Sequence, residues 1–296
     1  MIRLLILNFA ALSATSILLW HYWSEKRLLS AIVCRSVTLS ESKFATALDL
    51  AGRIYVQVAR GGDPPFIPIA AFDIVGATPV SILRNGGCCS GFARLYITGL
   101  ATLGIKAAQV TLYHVTEKYQ HALAEVSLGE PGCDTKQGVI VDPTYGFYYV
   151  DCDSRPIGLD ELRQGVKPKY RRLPHSERRR PTSDRTDESY PANDYYTFDF
   201  SSTKTANWTK TWVRRSAYRI LRVLTAGRID TLRQPLWLEW PQVEVSVAVA
   251  MGVVMFDLAM FFRHGAKVID RPRTCSRIRP CLQQSQVPRD LAPGSC

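Results

Sequence analysis

The chain shows no period of glycine or proline and no sustained apolar heptads, which excludes collagen-like and coiled-coil fibres. It has no internal repeat, which excludes solenoids and propellers. Eight cysteines are spread over 296 residues, too sparsely for a disulfide scaffold. No Cys-x-x-Cys pair occurs, and Cys275 and Cys281 are separated by five residues, so zinc-finger spacing is missing as well. Acidic residues are the minority charge, 26 Asp+Glu against 37 Lys+Arg, giving a formal charge of +11. With 46% hydrophobic residues, the chain is too apolar for a disordered one and long enough to bury a core.

The positive charge is concentrated in two stretches. One runs from Arg163 to Arg180 and the other follows Arg263. Both are dense in Pro, Ser and Arg and lack apolar periodicity, so they read as solvated loop and tail. Nucleic-acid binding needs basic residues on an ordered face with aromatics between them. Only Tyr170 interrupts the first run, so nucleic acid is not the expected partner.

Two segments are apolar enough to cross a bilayer. Leu4 to Trp23 carries no Asp, Glu, Lys or Arg, over about the 20 residues that a bilayer core requires. A cleaved signal peptide is the competing reading, with Ala11, Ser13 and Ala14 as cleavage-site residues. It would leave Ile17 to Trp20 as an apolar stub, which favours an uncleaved anchor. Val243 to Phe262 is the second segment, weakened by Glu244 and Asp257. A carboxylate costs roughly 2.5–3.5 kcal/mol at the bilayer centre and less off it. A buried core helix is the alternative. Trp20, Tyr22 and Trp23 end the first segment, and Trp237 and Trp240 precede the second. If both span, these aromatics share one interface. The basic tail after Arg263 then lies in the cytoplasm with Met1, and the intervening domain faces outward.

Between these segments the pattern is helices first, then strands. Ser40 precedes a helical stretch in which Phe44, Ala47, Leu48, Ala51, Tyr55 and Val58 recur, and Gly61-Gly62 stops it. A second helix begins near Cys89, with Phe92, Leu95, Tyr96, Leu100 and Leu103 on one face and Gly104 at its end. Strand-like runs follow: AAQVTLYHV, HALAEVSL, GVIVD and YGFYYV. This is the order of an α+β domain with an antiparallel meander. From Asp153 to Asn193 the pattern is loop with one helical turn at Leu159–Arg163. Thr209 to Leu232 reads as a basic helix.

Three residues occupy chemically informative places. Cys89 heads the second helix, where the N-terminal dipole and unpaired N–H groups favour a thiolate nucleophile. Gly86 and Gly87 before it permit a tight turn and close substrate approach. His121 opens the strand HALAEV, and Asp142 closes GVIVD before Pro143. Neighbouring strand ends can place His and Asp in contact, so that the imidazole takes the thiol proton while the carboxylate holds its tautomer. Taken singly, each has an ordinary alternative: a small buried Cys, a core His, an Asp that starts a turn. Spacing alone leaves His114 open as a rival base. Cys88, Cys89, Cys133, Cys152, His114 and His121 could be read as thiolate and imidazole ligands, but their spacing fits no known zinc pattern. Asn207-Trp208-Thr209 fits a glycosylation acceptor.

The stretch GGCCSGFARLYITGLATLGI, followed by YQHALAEV and VDPTYG, resembles the transglutaminase-like superfamily. That family carries G-x-C-x-x-x-A, H-A-x-x-E-V and D-P-T elements in this order. The resemblance covers Asn85 to about Val150. It implies a papain-like α+β core with Cys89 as nucleophile, His121 as base and Asp142 as orienting carboxylate, with Cys88 at a variable position. Ala108, Leu123 and Val139 stand where the family commonly has Arg, Trp and Trp. The resemblance implies acyl transfer from an amide through a thioester, resolved by water or by an amine, without a cofactor. The expected partners are a protein or peptide substrate and a membrane. The alternative is a catalytically silent binding or assembly module at a membrane.

The expected organisation is an N-terminal anchor (1–23), a transglutaminase-like domain (24–200) and a helical connector (201–242). The domain divides into a core at 40–152 and a basic loop at 153–194. A second candidate membrane helix (243–262) and a basic tail (263–296) complete the chain. Cys133 and Cys152 form a candidate disulfide only if their Cα atoms lie within about 7 Å.

Overall fold

A 35-residue helix, α1 (Ile2–Ser36), starts the computed structural model. The structure describes residues 2–61, 77–114, 120–129, 138–178, 198–204, 212–230 and 233–269. The helix does not stop at Trp23. Its N-terminal part exposes Leu5, Phe9, Leu12 and Ile17, while Leu29 and Val33 near its C-terminal end join the core. Helix α2 (Lys43–Gln57) is capped by Ser42, whose hydroxyl accepts from the Ala45 N–H, rather than by Ser40. Its buried stripe includes Ala47, Leu48, Ala51 and Ile54. A short helix, α3 (Pro79–Asn85), begins with Pro79 after the Thr78 cap.

Helix α4 (Cys89–Thr102) buries ten consecutive residues, Gly91 to Leu100. A helix apolar around most of its circumference is enclosed on several sides. Here α1, α2 and α3 pack on it from one side and the sheet from the other. Burial of a Leu or Ile such as Leu95, Ile97 or Leu100 contributes roughly 1.5–3 kcal/mol each. The close approach needs a small residue at Gly99, where an added Cβ would lie 3.1 Å from Leu50. Gly104, with φ +72, turns the chain out of the helix.

The sheet has six strands: β1 (Ala107–His114), β2 (Gln120–Ser127), β3 (Gly138–Asp142), β4 (Phe147–Val150), β5 (Lys169–Arg172) and β6 (Phe198–Lys204). Their order is β5-β4-β3-β2-β1-β6, and every neighbouring pair is antiparallel. The α+β expectation holds. Alternation along the strands divides the core in two. Ala124, Val126, Val139 and Val141 face the helices. Val110, Leu112, Leu123 and Ile140 pack on the other face with Phe147, Tyr149, Phe198 and helix α5 (Leu159–Arg163). Leu123, Val139 and Ala108, the three departures from the family pattern, are all buried.

Two strands were not foreseen. Lys169–Arg172 lies in the stretch read as a solvated basic loop, yet it pairs with β4 as an edge strand. Its charges leave no apolar alternation to read, and charge is common on edge strands because it blocks further pairing. The strand β6 pairs β1 at the opposite edge through a register shift.

The segment after the sheet contains α6 (Trp212–Leu224), which gives way to a turn at Thr225, short of the Leu232 expected as the helix end; Thr209 to Thr211 lie outside the described residues. A 3-10 turn at Leu236–Glu239 leads into α7 (Pro241–Ile269). Both α1 and α7 are long and apolar enough to cross a membrane. The middle of α1 meets the residue before α7: Tyr22 lies edge-on to Trp240 with centroids 5.1 Å apart. The Gln242 side chain bridges His21 at 3.0 Å and Glu25 at 2.6 Å. The chain divides into two compact units, 1–251 and 252–296. The second begins within α7.

Candidate active site

Three elements place the predicted residues. Gly86 has φ +87, and an added Cβ would sit 2.4 Å from the Ala59 carbonyl oxygen, so the position requires glycine. That turn lets Gly87 form a parallel bridge with Arg60, closed by Gly87 N–H to Ala59 and Gly61 N–H to Gly87. Cys88 is then the N-cap of α4 and Cys89 its first residue, as expected. The first N–H groups of a helix have no partner within it and converge at this end.

His121 is the second residue of β2 and Asp142 the last of β3. Both are buried. Their side chains meet, with Nε2 of His121 2.7 Å from Oδ2 of Asp142. The other carboxylate oxygen accepts the N–H groups of Thr144 and Tyr145 at 2.9 and 3.0 Å. The strand's stop at Pro143 creates this turn, and the turn fixes the carboxylate. The imidazole packs beside Tyr145, centroids 5.2 Å apart, and over Phe198 at 6.0 Å.

The sulfur of Cys89 accepts the backbone N–H of Ala122, the residue after His121, and lies within the electrostatic reach of Asp142. Continuing the β2–β3 register would bring Pro143 opposite Ala122. The ladder stops before that point, and the thiol takes the amide instead. His114 ends β1 opposite Phe198, with its side chain outside the described residues.

The electrostatics differ from the expectation of a thiolate. The Cys89 thiol is pushed well above its ordinary range, first by a hydrogen bond shared with Cys88, then by burial, with the charges of Cys88 and Asp142 adding to it. The Ala122 N–H acts in the opposite direction. Two adjacent thiols cannot both ionise cheaply. Cys88 is therefore not a silent neighbour. Its sulfur also lies 3.2 Å from the Ser90 hydroxyl. Burial and the Asp142 charge likewise push the Tyr170 phenol up to about 12, so this group stays neutral.

One important contact was not predicted. Arg60 donates from Nε and Nη2 to the carbonyl of Thr144 and stacks on Tyr145 at 4.5 Å. It joins the turn before Cys89 to the turn after Asp142. Its position beside Gly61-Gly62 marked only a helix end. Glu125, part of the strand motif, serves elsewhere: it accepts the Leu159 N–H at 3.0 Å and pairs with Arg233 at 2.9 Å.

Among the described residues, no group of three His, Cys, Asp or Glu side chains could hold a metal ion. Cys152 is exposed. Cys133, Cys275, Cys281 and Asn207 lie outside the described residues.

No family model matches the sequence, and no curated protein matches it. Among solved structures, a proposed cysteine protease from Cytophaga hutchinsonii aligns at 20% identity with a TM-score of 0.31, covering 40% of this chain and 37% of that one. The match thus spans about a third of the Cytophaga protein. Legionella pneumophila LapG aligns at 14% identity and TM-score 0.28, covering 53% of this chain and 79% of its own. Its calcium-bound structure aligns at 16% identity and TM-score 0.29, covering 61% and 92%. Likenesses this distant carry no part of the functional reading, which rests on the chain's own residues.

Proposed function

We propose that the chain is a membrane-anchored cysteine enzyme of transglutaminase-like type that acts on amide bonds of protein or peptide substrates. The observation that carries this reading is the buried His121–Asp142 bond, set one residue from the amide that holds the Cys89 sulfur. Asp142 holds Nε2 of the ring, and in this reading Nδ1 is the nitrogen that serves the thiol. Because the resting thiol is neutral, His121 acts as general base during attack rather than within a preformed ion pair. The Sγ–H proton passes to Nδ1, and sulfur bonds to the carbonyl carbon. The oxyanion meets the N–H groups at the start of α4. Return of the proton to the leaving nitrogen breaks the C–N bond and leaves a thioester. Water resolves it to an acid, or an amine to a new amide.

The test uses the full chain in nanodiscs with membrane proteins as substrate. New N-termini report hydrolysis, and incorporation of a labelled primary amine reports transfer. Either signal is expected from the wild type and not from Cys89→Ala. Equal signals from the two proteins contradict the proposal.

A catalytically silent module is the second reading, and the raised Cys89 pKa favours it. Loss of both signals in the wild type, with the fold intact, supports that alternative.

Both α1 and α7 are assigned as membrane spans, with the intervening domain on the non-cytoplasmic side and the tail after Arg263 in the cytoplasm. A reporter fused after Cys296 is expected to be active only in the cytoplasm. Activity on the other side reverses the orientation.

A further inference from the structure

Helix α6 is amphipathic along its whole length. Val213, Ala217, Ile220 and Leu224 fall at i, i+4, i+7 and i+11, while Arg215, Arg219 and Arg222 fall at i, i+4 and i+7, which helical periodicity puts on the opposite side. In a soluble domain the apolar side of such a helix is covered. Here Ile220 is 62% exposed, Val223 81% and Leu224 75%. Its main packing partner among the described residues is the Arg228–Asp230 turn that follows it.

Length decides between spanning a membrane and lying on one. Thirteen residues rise about 20 Å, well short of the roughly 30 Å hydrocarbon core. Arginines along one side exclude a span as well. A short helix with an apolar face, a cationic face and no covering partner for its exposed apolar residues among the described residues has the features of an interfacial helix. Its surroundings agree. Residues 225–240 lead from α6 to the apolar helix α7, and Leu236 and Trp237 on this path are also exposed. Trp at this place suits the headgroup level of a bilayer.

We infer that α6 lies in the membrane interface, with Ile220, Val223 and Leu224 among the acyl chains and Arg219 and Arg222 on the phosphates of anionic lipids. The occupant of this face is the bilayer surface, chosen over a protein partner by charge: four arginines lie within thirteen residues, with no acidic residue between Trp212 and Leu224. The inference rests on the membrane anchoring proposed above and is independent of the chemistry at Cys89. It gives the domain a third contact with the membrane besides the two apolar helices.

The test is amide hydrogen exchange on the full chain in nanodiscs of phosphatidylcholine alone or mixed with phosphatidylglycerol. Exchange over 212–224 is expected to be roughly tenfold slower in the anionic discs. The double variant Val223→Glu/Leu224→Glu is expected to abolish that difference without altering exchange in the sheet. Equal exchange in the two lipids overturns the inference, as does protection that follows protein concentration instead of lipid, which would indicate a second copy. Alkaline carbonate extraction separates the two failures. A chain released by carbonate defeats the anchoring and this inference together. A chain that stays, with α6 insensitive to lipid, defeats this inference alone.

Discussion

Arg60 grips the carbonyl of Thr144, two residues beyond Asp142. The backbone around Arg60 is itself bridged to Gly87, two residues before Cys89. One guanidinium therefore sets the spacing between the thiol's turn and the carboxylate's turn. Small misplacements of reacting groups cost up to about 100-fold in rate. Arg60→Met is expected to slow modification of Cys89 by roughly 10- to 100-fold, and Arg60→Lys to recover only part, since lysine lacks the planar fork. Peptide mapping after timed iodoacetamide exposure measures it. An unchanged rate in Arg60→Met removes Arg60 from the site.

Cys88 holds the Cys89 thiol in its neutral form. Cys88→Ala is expected to move the pH midpoint of Cys89 alkylation downward. The sign for stability follows from the same shift. A thiol whose folded pKa is raised stabilises the fold fully below its unfolded value, about 8.5. That contribution is lost as pH rises through the folded value. Melting temperature is therefore expected to fall on the alkaline side, and Cys89→Ser to flatten part of that fall. Tyr96 and Tyr170, whose phenols are also raised by burial, retain their share. Parallel alkaline melting curves for wild type and Cys89→Ser contradict this.

Gly86 cannot carry a side chain without displacing the Ala59 backbone. Gly86→Ala is expected to cost about 1–3 kcal/mol from backbone strain, read by chemical denaturation. Gly61→Ala, where an added Cβ meets nothing within 4 Å, is the matched control and is expected to change little. Equal stability of the two variants defeats the account of the turn.

Arg94 of α4 pairs with Glu239 at 3.5 Å, both buried. Arg94 also donates to the Ala77 carbonyl at 2.7 Å, and Gln234 donates to Glu239 at 2.8 Å. The pair ties the helix of the nucleophile to the segment entering α7. Removing one member strands a buried charge, at a cost of about 3–5 kcal/mol. Arg94→Met is expected to lose that much, and Arg94→Met/Glu239→Leu distinctly less. Equal losses in single and double variants would show that the ion pair is not the source.

The sequence displayed those parts whose physics is local. Phe92, Leu95, Tyr96 and Leu100 announce a helix by spacing, and Gly104 announces its end. Leu159–Arg163 is correct to the residue because its turn is short and self-contained. The strand at Lys169–Arg172 was hidden because its pairing with β4 comes from a distant partner, while its own residues are nearly all charged. Cys89 and Asp142 stand at element boundaries that sequence reveals, whereas spacing left His114 beside His121 as the candidate base and only the family resemblance chose between them. Arg60 and the influence of Cys88 could not be named from sequence. The first acts across 84 residues of chain. The second depends on where two sulfur atoms point, and spacing is silent on direction.

The most direct test is the rate of Cys89 alkylation by iodoacetamide, followed across pH in the full-length wild type, His121→Gln and Asp142→Asn. Asn at 142 keeps an acceptor for the N–H groups of Thr144 and Tyr145, so the turn is expected to survive. The account predicts that both variants react more slowly than wild type near neutral pH, by on the order of 100-fold for His121→Gln as expected for loss of a general base. The three rates are expected to converge at alkaline pH, where the thiol ionises unaided. Identical rates in all three proteins at neutral pH would contradict it.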